Sequence, residues 1–125
     1  MYDLDNVSVD FPWTSSELEP NGFSYVPEGW GDVVYEYLQK LEAELDRLGI
    51  KDEFYTEQIK EKWGTLRFSY FISASGEFST VQEIISELED ATSKICCYCG
   101  TDKDVRCRGG WVHFSCDKCE DEHEK

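Results

Sequence analysis

At 125 residues the chain has the length of one domain with room for a small appended module. Hydrophobic residues make up 40% of it, with four Trp, seven Tyr and seven Phe, enough for a packed core, so the composition excludes a disordered chain. The formal net charge of -15, from 27 acidic and 12 basic residues, disfavours direct binding to nucleic acid and anionic membranes and favours basic proteins.

No stretch approaches the length of uncharged apolar sequence that a membrane-spanning helix needs. Met1-Tyr2-Asp3-Leu4-Asp5 has neither a basic region nor an apolar run, so it does not read as a secretory signal. Six cysteines without such a signal point to the reducing cytoplasm, where thiols bind metal more often than they pair. The acidity is concentrated early: residues 1–50 hold eleven acids and two bases.

Residues 1–31 are punctuated by Pro12, Pro20, Pro27, Gly22, Gly29 and Gly31 and predict an irregular arm. Phe11, Trp13, Phe23, Tyr25 and Trp30 within it predict that the arm packs onto the domain. Asp32 is a good N-cap, and Val34, Leu38, Leu41, Leu45 and Leu48 form one apolar stripe, which predicts a helix over 33–48 ended by Gly49. Glu36, Glu42, Glu44 and Asp46 lie mostly off that stripe, toward water or a partner.

From Phe54 to Ile72 the pattern turns to a period of two, with Leu66, Phe68, Tyr70 and Ile72 on one face. Tyr55, Ile59 and Trp63 share a face of the preceding strand, and Lys62-Trp63-Gly64-Thr65 supplies a hairpin turn. Lys60, Lys62 and Arg67 are expected to pair across the hairpin with Glu57 and Glu61. A second helix is predicted over about 79–95, with a capping box from Ser79 and Gln82 or Thr80 and Glu83. Its stripe is Val81, Ile84, Ile85, Leu88, Ala91 and Ile95. The two helices can bury their stripes on one face of the hairpin.

Cys96 with Cys99, and Cys116 with Cys119, form two Cys-x2-Cys pairs, the pattern of a four-thiolate zinc site. Cys96 to Gly100 has the form of a zinc knuckle, residues 101–115 can make a small hairpin turning near Gly109-Gly110, and a short helix over 117–124 would carry the last two ligands in its first turn. That order resembles a treble-clef zinc finger. Four thiolates fill a tetrahedral ion, so the expected cofactor is one structural Zn²⁺ with no open position for substrate. Cys97 and Cys107 are expected to be ordinary free thiols, His113 a surface imidazole or one beside the ligands, and His123 solvated. A redox dithiol is the competing reading of Cys-x2-Cys, but no thioredoxin-like βαβ pattern accompanies it.

The fold class is therefore α+β: residues 1–95 as an α+β core with an aromatic, acidic N-terminal arm, and residues 96–125 as a zinc-binding module packed on it. No Gly-rich phosphate loop, Gly-x-Ser-x-Gly, His-Glu-x-x-His or deaminase-type His-x-Glu occurs, so the chain reads as a non-enzyme.

The segment Gln58-Ile59-Lys60-Glu61-Lys62-Trp63-Gly64-Thr65-Leu66-Arg67-Phe68 resembles a stretch shared by small uncharacterised proteins of bacteria and their phages. Those proteins also end in a Cys-x2-Cys-Gly, a Gly-Gly-Trp and a second cysteine pair, here Cys96 to Gly100, Gly109-Gly110-Trp111 and Cys116 to Cys119. The resemblance covers roughly residues 54–119 and implies an immunity or anti-defence protein. The expected partner is a basic protein, such as a toxin, nuclease or defence effector. Glu36, Glu42, Glu44, Asp46 and Trp63 are the candidate contacts. The alternatives are a nucleic-acid-associated zinc finger acting through residues 101–119 and a structural phage protein.

Overall fold

A computed structural model of the chain describes residues 10–14, 26–110 and 112–123. Phe23, Tyr25, Trp111 and the side chain of His123 lie outside the described residues. The architecture is α+β: helix α1 (Gly31–Leu48), a hairpin of β1 (Phe54–Lys62) and β2 (Thr65–Ile72), helix α2 (Ser79–Ala91), a second hairpin of β3 (Val105–Arg108) and β4 (His113–Cys116), and the short helix α3 (Asp117–His123).

The α1 stripe is buried as its spacing predicts. Val34, Leu38, Leu41 and Leu45 are all at most 1% exposed, and Gly49 ends the helix at φ 69°, a left-handed stop that costs glycine nothing. The start differs from expectation. A 3₁₀ turn, Glu28–Trp30, leads directly into the helix, so Asp32 lies within the first turn and not at the cap.

The β1–β2 hairpin turns at Trp63 and Gly64, both at positive φ (55° and 85°), the signature of a two-residue turn whose twist matches the strands. The register shifts between Thr56 and Gln58, which makes Glu57 the extra residue of a bulge. The bulge reverses the parity of β1. Phe54 and Thr56 face the core before it and Ile59 after it, so Tyr55 turns outward, against the expectation that it shares a face with Ile59. Tyr55 instead stacks on Phe71 across the outer face, with ring centroids 6.3 Å apart.

Helix α2 packs against α1 and lies over β2, burying Val81, Ile85 and Leu88. Neither capping box forms. The Phe78 carbonyl accepts the Gln82 N–H (3.1 Å), and Thr80 hydrogen-bonds across to Glu44 of α1. The helix ends at Ala91, and a 3₁₀ turn carries the chain on to Lys94. There, buried Thr92 donates to the Glu89 carbonyl (2.7 Å) and accepts the Leu66 N–H (3.0 Å). The Glu89 carboxylate accepts the Phe68 N–H (3.0 Å), so α2 caps the free edge of β2.

The arm packs as its aromatics predict where it is described. Phe11 meets Tyr35 edge-on, Trp13 meets Phe54 edge-on, and Trp13 Nε1 donates to Glu42. Residues 10–14 thus fill the wedge between α1 and β1.

Thr56 Oγ1 is buried at the bulge without a hydrogen-bond partner among the described residues. A buried unsatisfied hydroxyl costs about 1–3 kcal/mol. Thr56→Val keeps the shape and removes the polar atom. It should raise stability by about 1 kcal/mol in urea unfolding at unchanged m-value; a loss of stability would show that the hydroxyl is satisfied.

Candidate metal centre

The second hairpin and α3 bring the two cysteine pairs together. Cys96 and Cys99 lie on the knuckle after the 3₁₀ turn, Cys116 ends β4, and Cys119 sits in the first turn of α3. This is the treble-clef order predicted from spacing. The four sulfurs all lie within 4.8 Å of one another, and Cys99 Sγ is 3.8 Å from Cys116 Sγ. A tetrahedron of metal–sulfur bonds near 2.3 Å has edges of about 3.8 Å, so the sulfurs are spaced to share one ion.

Backbone N–H groups aim at the sulfurs. Tyr98 N–H points to Cys96 Sγ and Cys119 N–H to Cys116 Sγ, each at 3.4 Å. Burial alone would raise the Cys96 thiol, but the N–H groups of Cys116, Cys99 and Tyr98 outweigh it and bring it down to about 6. Cys119 is pushed up by burial and by the thiols of Cys116, Cys99 and Cys96. The Thr101 N–H draws Cys99 down, yet burial and the neighbouring thiols leave it raised. The sulfurs crowd one another, and a cation at the centre would offset the repulsion between neighbouring thiolates. The four cysteines can bind a metal ion, and they fill its four positions.

The knuckle is fixed by its own turn and by two neighbours. Cys96 N–H donates to the Thr101 carbonyl (2.8 Å) and Gly100 N–H to the Cys96 carbonyl (2.9 Å). Cys97 N–H reaches the Phe114 carbonyl (2.9 Å), and Gly29 N–H reaches the Cys97 carbonyl (3.0 Å). A Cβ on Gly29 would stand 2.4 Å from the Cys96 carbonyl oxygen. One on Gly100, already at φ 80°, would stand 2.7 Å from the Gly29 oxygen. Cys97 is buried outside the four-sulfur group, its thiol pushed up to about 11 by burial and the adjacent Cys96. Cys107 is exposed.

A polar network that sequence reasoning missed ties the hairpin to α3. Arg108 donates to Ser115 Oγ (3.1 Å), to the Ser115 carbonyl (3.1 Å) and to Asp117 (3.0 Å). Ser115, fully buried, donates to Glu120 (2.6 Å), which also meets His113 Nε2 at 2.9 Å. Arg106 reaches Asp117 at 2.9 Å. The signal lay in the register, which sets Arg106 opposite Ser115 and Arg108 opposite His113. Asp117 and Glu120 also sit in the first turn of α3, where carboxylates are favoured. Asp117 is held low by Arg106 and Arg108, and Glu120 by Ser115 and His113.

The candidate partner contacts lie apart from the sulfurs. Glu36 pairs with Lys40 (3.5 Å), and Glu42 with Lys51 (3.3 Å) and Trp13. Asp46 stands 3.8 Å from Lys51. Glu44 is gripped by Arg47 and Thr80, which hold its carboxyl down to about 2. All four are therefore engaged within their own chain. Trp63 is 68% exposed at the tip of the first hairpin. It lines an open cleft of about 360 Å³ with Glu61, Lys62, Gly110 and Val112. No helix among the described residues is long and apolar enough to cross a membrane.

No protein-family model matches the chain, and no curated protein or solved structure matches it.

Two outcomes test this site. Chelation should abolish amide protection over residues 96–119, because ligand-coupled folding energy of about 10 kcal/mol or more is withdrawn; persistent protection would show that the thiols need no ion. Gly29→Ala should destabilise the metal-loaded protein by about 1–3 kcal/mol in thermal unfolding, because a methyl group must displace knuckle backbone. A neutral effect would mean that the arm and the knuckle are not pinned there.

Proposed function

We propose that this chain is a non-enzymatic, cytoplasmic protein-binding inhibitor, built around one structural zinc, whose acidic surface covers a basic partner. The observation that supports it best is the charge of α2. Its thirteen residues carry four acids and no base. Glu83 and Glu87, one turn apart and exposed, take part in no ion pair or hydrogen bond among the described residues. Unpaired carboxylates one turn apart repel, a small cost to an isolated helix that a cationic partner would reverse. The carboxylates of α1 are already met by Lys40, Lys51 and Arg47, whereas on α2 Asp90 is met by Lys94 and Glu89 by the Phe68 N–H, which leaves Glu83 and Glu87.

Zinc fits the donor set because four soft thiolates at tetrahedral spacing suit it without redox chemistry. The filled coordination shell leaves no position for a substrate, which favours a structural role. An immunity or anti-defence role, with a nuclease toxin or defence effector as target, rests on the resemblance of the hairpin and cysteine motifs. Long-range attraction would speed the encounter. In the alternative reading through residues 101–119, Arg106 and Arg108 would face phosphates, but both are drawn onto Asp117, which weighs against it.

The test is capture of partners from lysate of the source organism at low and moderate salt, with wild type and Glu83→Lys/Glu87→Lys compared and partners identified by mass. One basic protein, retained by wild type at low salt and reduced about tenfold or more in the variant, is expected. Equal recovery by both proteins, or recovery indifferent to salt, would sink the electrostatic mechanism. Metal analysis of the same preparation should give one zinc per chain.

A further inference from the structure

The outer face of the first hairpin differs from the rest of the molecule. The core face of β1 and β2 is covered by α2 and by residues 10–14, while the other side is open among the described residues. Along that side the register sets Tyr55 opposite Phe71, Gln58 opposite Ser69, and Lys60 opposite Arg67. Lys62 follows at the turn. The expected pairing of these bases with Glu57 and Glu61 does not form. Glu61 accepts the Gly64 N–H instead (3.2 Å), and the side chains of Lys60, Lys62 and Arg67 have no partner among the described residues.

Two features of this hairpin cost stability. Lys60 and Arg67 are like charges held directly opposite each other, a destabilising arrangement. Trp63 holds φ 55°, a region that a bulky residue occupies at a penalty, while leaving 68% of its surface in water. Tyr55 and Phe71 are 49% and 57% exposed. Local choices that oppose folding, on the open face and at the tip of one hairpin, mark a surface kept for binding.

We propose that this face binds single-stranded nucleic acid, with bases stacked on Tyr55, Phe71 and Trp63 and phosphates held by Lys60, Lys62 and Arg67. Aromatics and unpaired cations together suit a ligand that is both planar and polyanionic; an acidic peptide would use the cations and leave the rings idle. From Trp63 to Tyr55 the strand runs about 25 Å, which suits the short end of known site sizes, roughly four nucleotides. The acids of α2 do not forbid this. Glu89 is spent on the Phe68 N–H at the edge of β2, Asp90 on Lys94, and Glu83 and Glu87 are carried by the helix that covers the core face of the sheet, not this one. The site is independent of the acidic surface proposed above, so either can fail alone.

The experiment is fluorescence anisotropy of a short labelled oligothymidylate with the metal-loaded full chain, with the same-length duplex and polyglutamate as competitors. Binding to the single strand with quenched Trp fluorescence is expected, and log affinity should fall with log salt at a slope of about -2 for three phosphate contacts. Lys60→Glu puts opposite charges across from each other. It should hold or raise the Tm yet weaken binding by about fivefold or more. Trp63→Asn should also raise the Tm while losing the quenching. No binding at low salt, full binding by Lys60→Glu, or competition by duplex or polyglutamate as strong as by single strand would each overturn the proposal.

Discussion

The structure hinges on a place where no side chain fits. Gly29 and Gly100 bring the arm and the knuckle into backbone contact, with the Gly29 N–H on the Cys97 carbonyl. On one side of that contact the knuckle aims its N–H groups at the sulfurs. On the other, the next residue is buried Trp30, and α1 begins one residue later. Metal ligation and the first core helix therefore share a single stretch of backbone. Energy released on binding a metal at the sulfurs would fix the backbone that leads into α1.

A second contact makes the coupling two-sided. The Phe114 carbonyl accepts the Cys97 N–H, so β4 is strapped to the knuckle. The same residue packs against Gly64 at the first hairpin's turn, where an added Cβ would stand 3.3 Å from the Phe114 ring and 3.2 Å from the His113 backbone. The turn thus needs glycine twice over, for its φ of 85° and for the approach of the small module. Buried Ser115, saturated by Arg108 and Glu120, then locks β4 to α3 and sets the position of Cys119. A fully satisfied polar network of this kind fixes geometry more than it adds net stability.

Much of this was legible in the sequence because it depends on period and spacing. Both apolar stripes, the strand alternation after Leu66, the turn at Gly64 and the two cysteine pairs follow from local repetition. What was not legible depends on partners distant in sequence. The bulge at Glu57 is a one-residue slip, and such a slip sends every later side chain to the opposite face, so Tyr55 and Ile59 part company. The capping boxes failed because the helix starts earlier, with Phe78 at the cap, so Ser79 and Thr80 lie inside its first turn. The acids of α1 looked free because Lys51 and Trp13, which hold Glu42, belong to other segments. The hairpin's register carries Arg106 and Arg108 to Asp117, a pairing that no local pattern displays.

Those corrections have a common direction: they redistribute free charge. The carboxylates of α1 and the arginines of β3 are spent inside the chain, and each such exposed pair adds little to stability. Among the described residues, Glu83 and Glu87 on α2 and the cations of the first hairpin are among the charges left unpaired. A net charge of -15 therefore describes the molecule poorly at close range, where screening confines each field to its own surface. Four thiolates would fill the shell of one ion, which leaves such surfaces as the places for partner contact. On the first hairpin, folding alone would have selected Asn before Gly64 and an acid opposite Arg67, and this chain has Trp63 and Lys60 there.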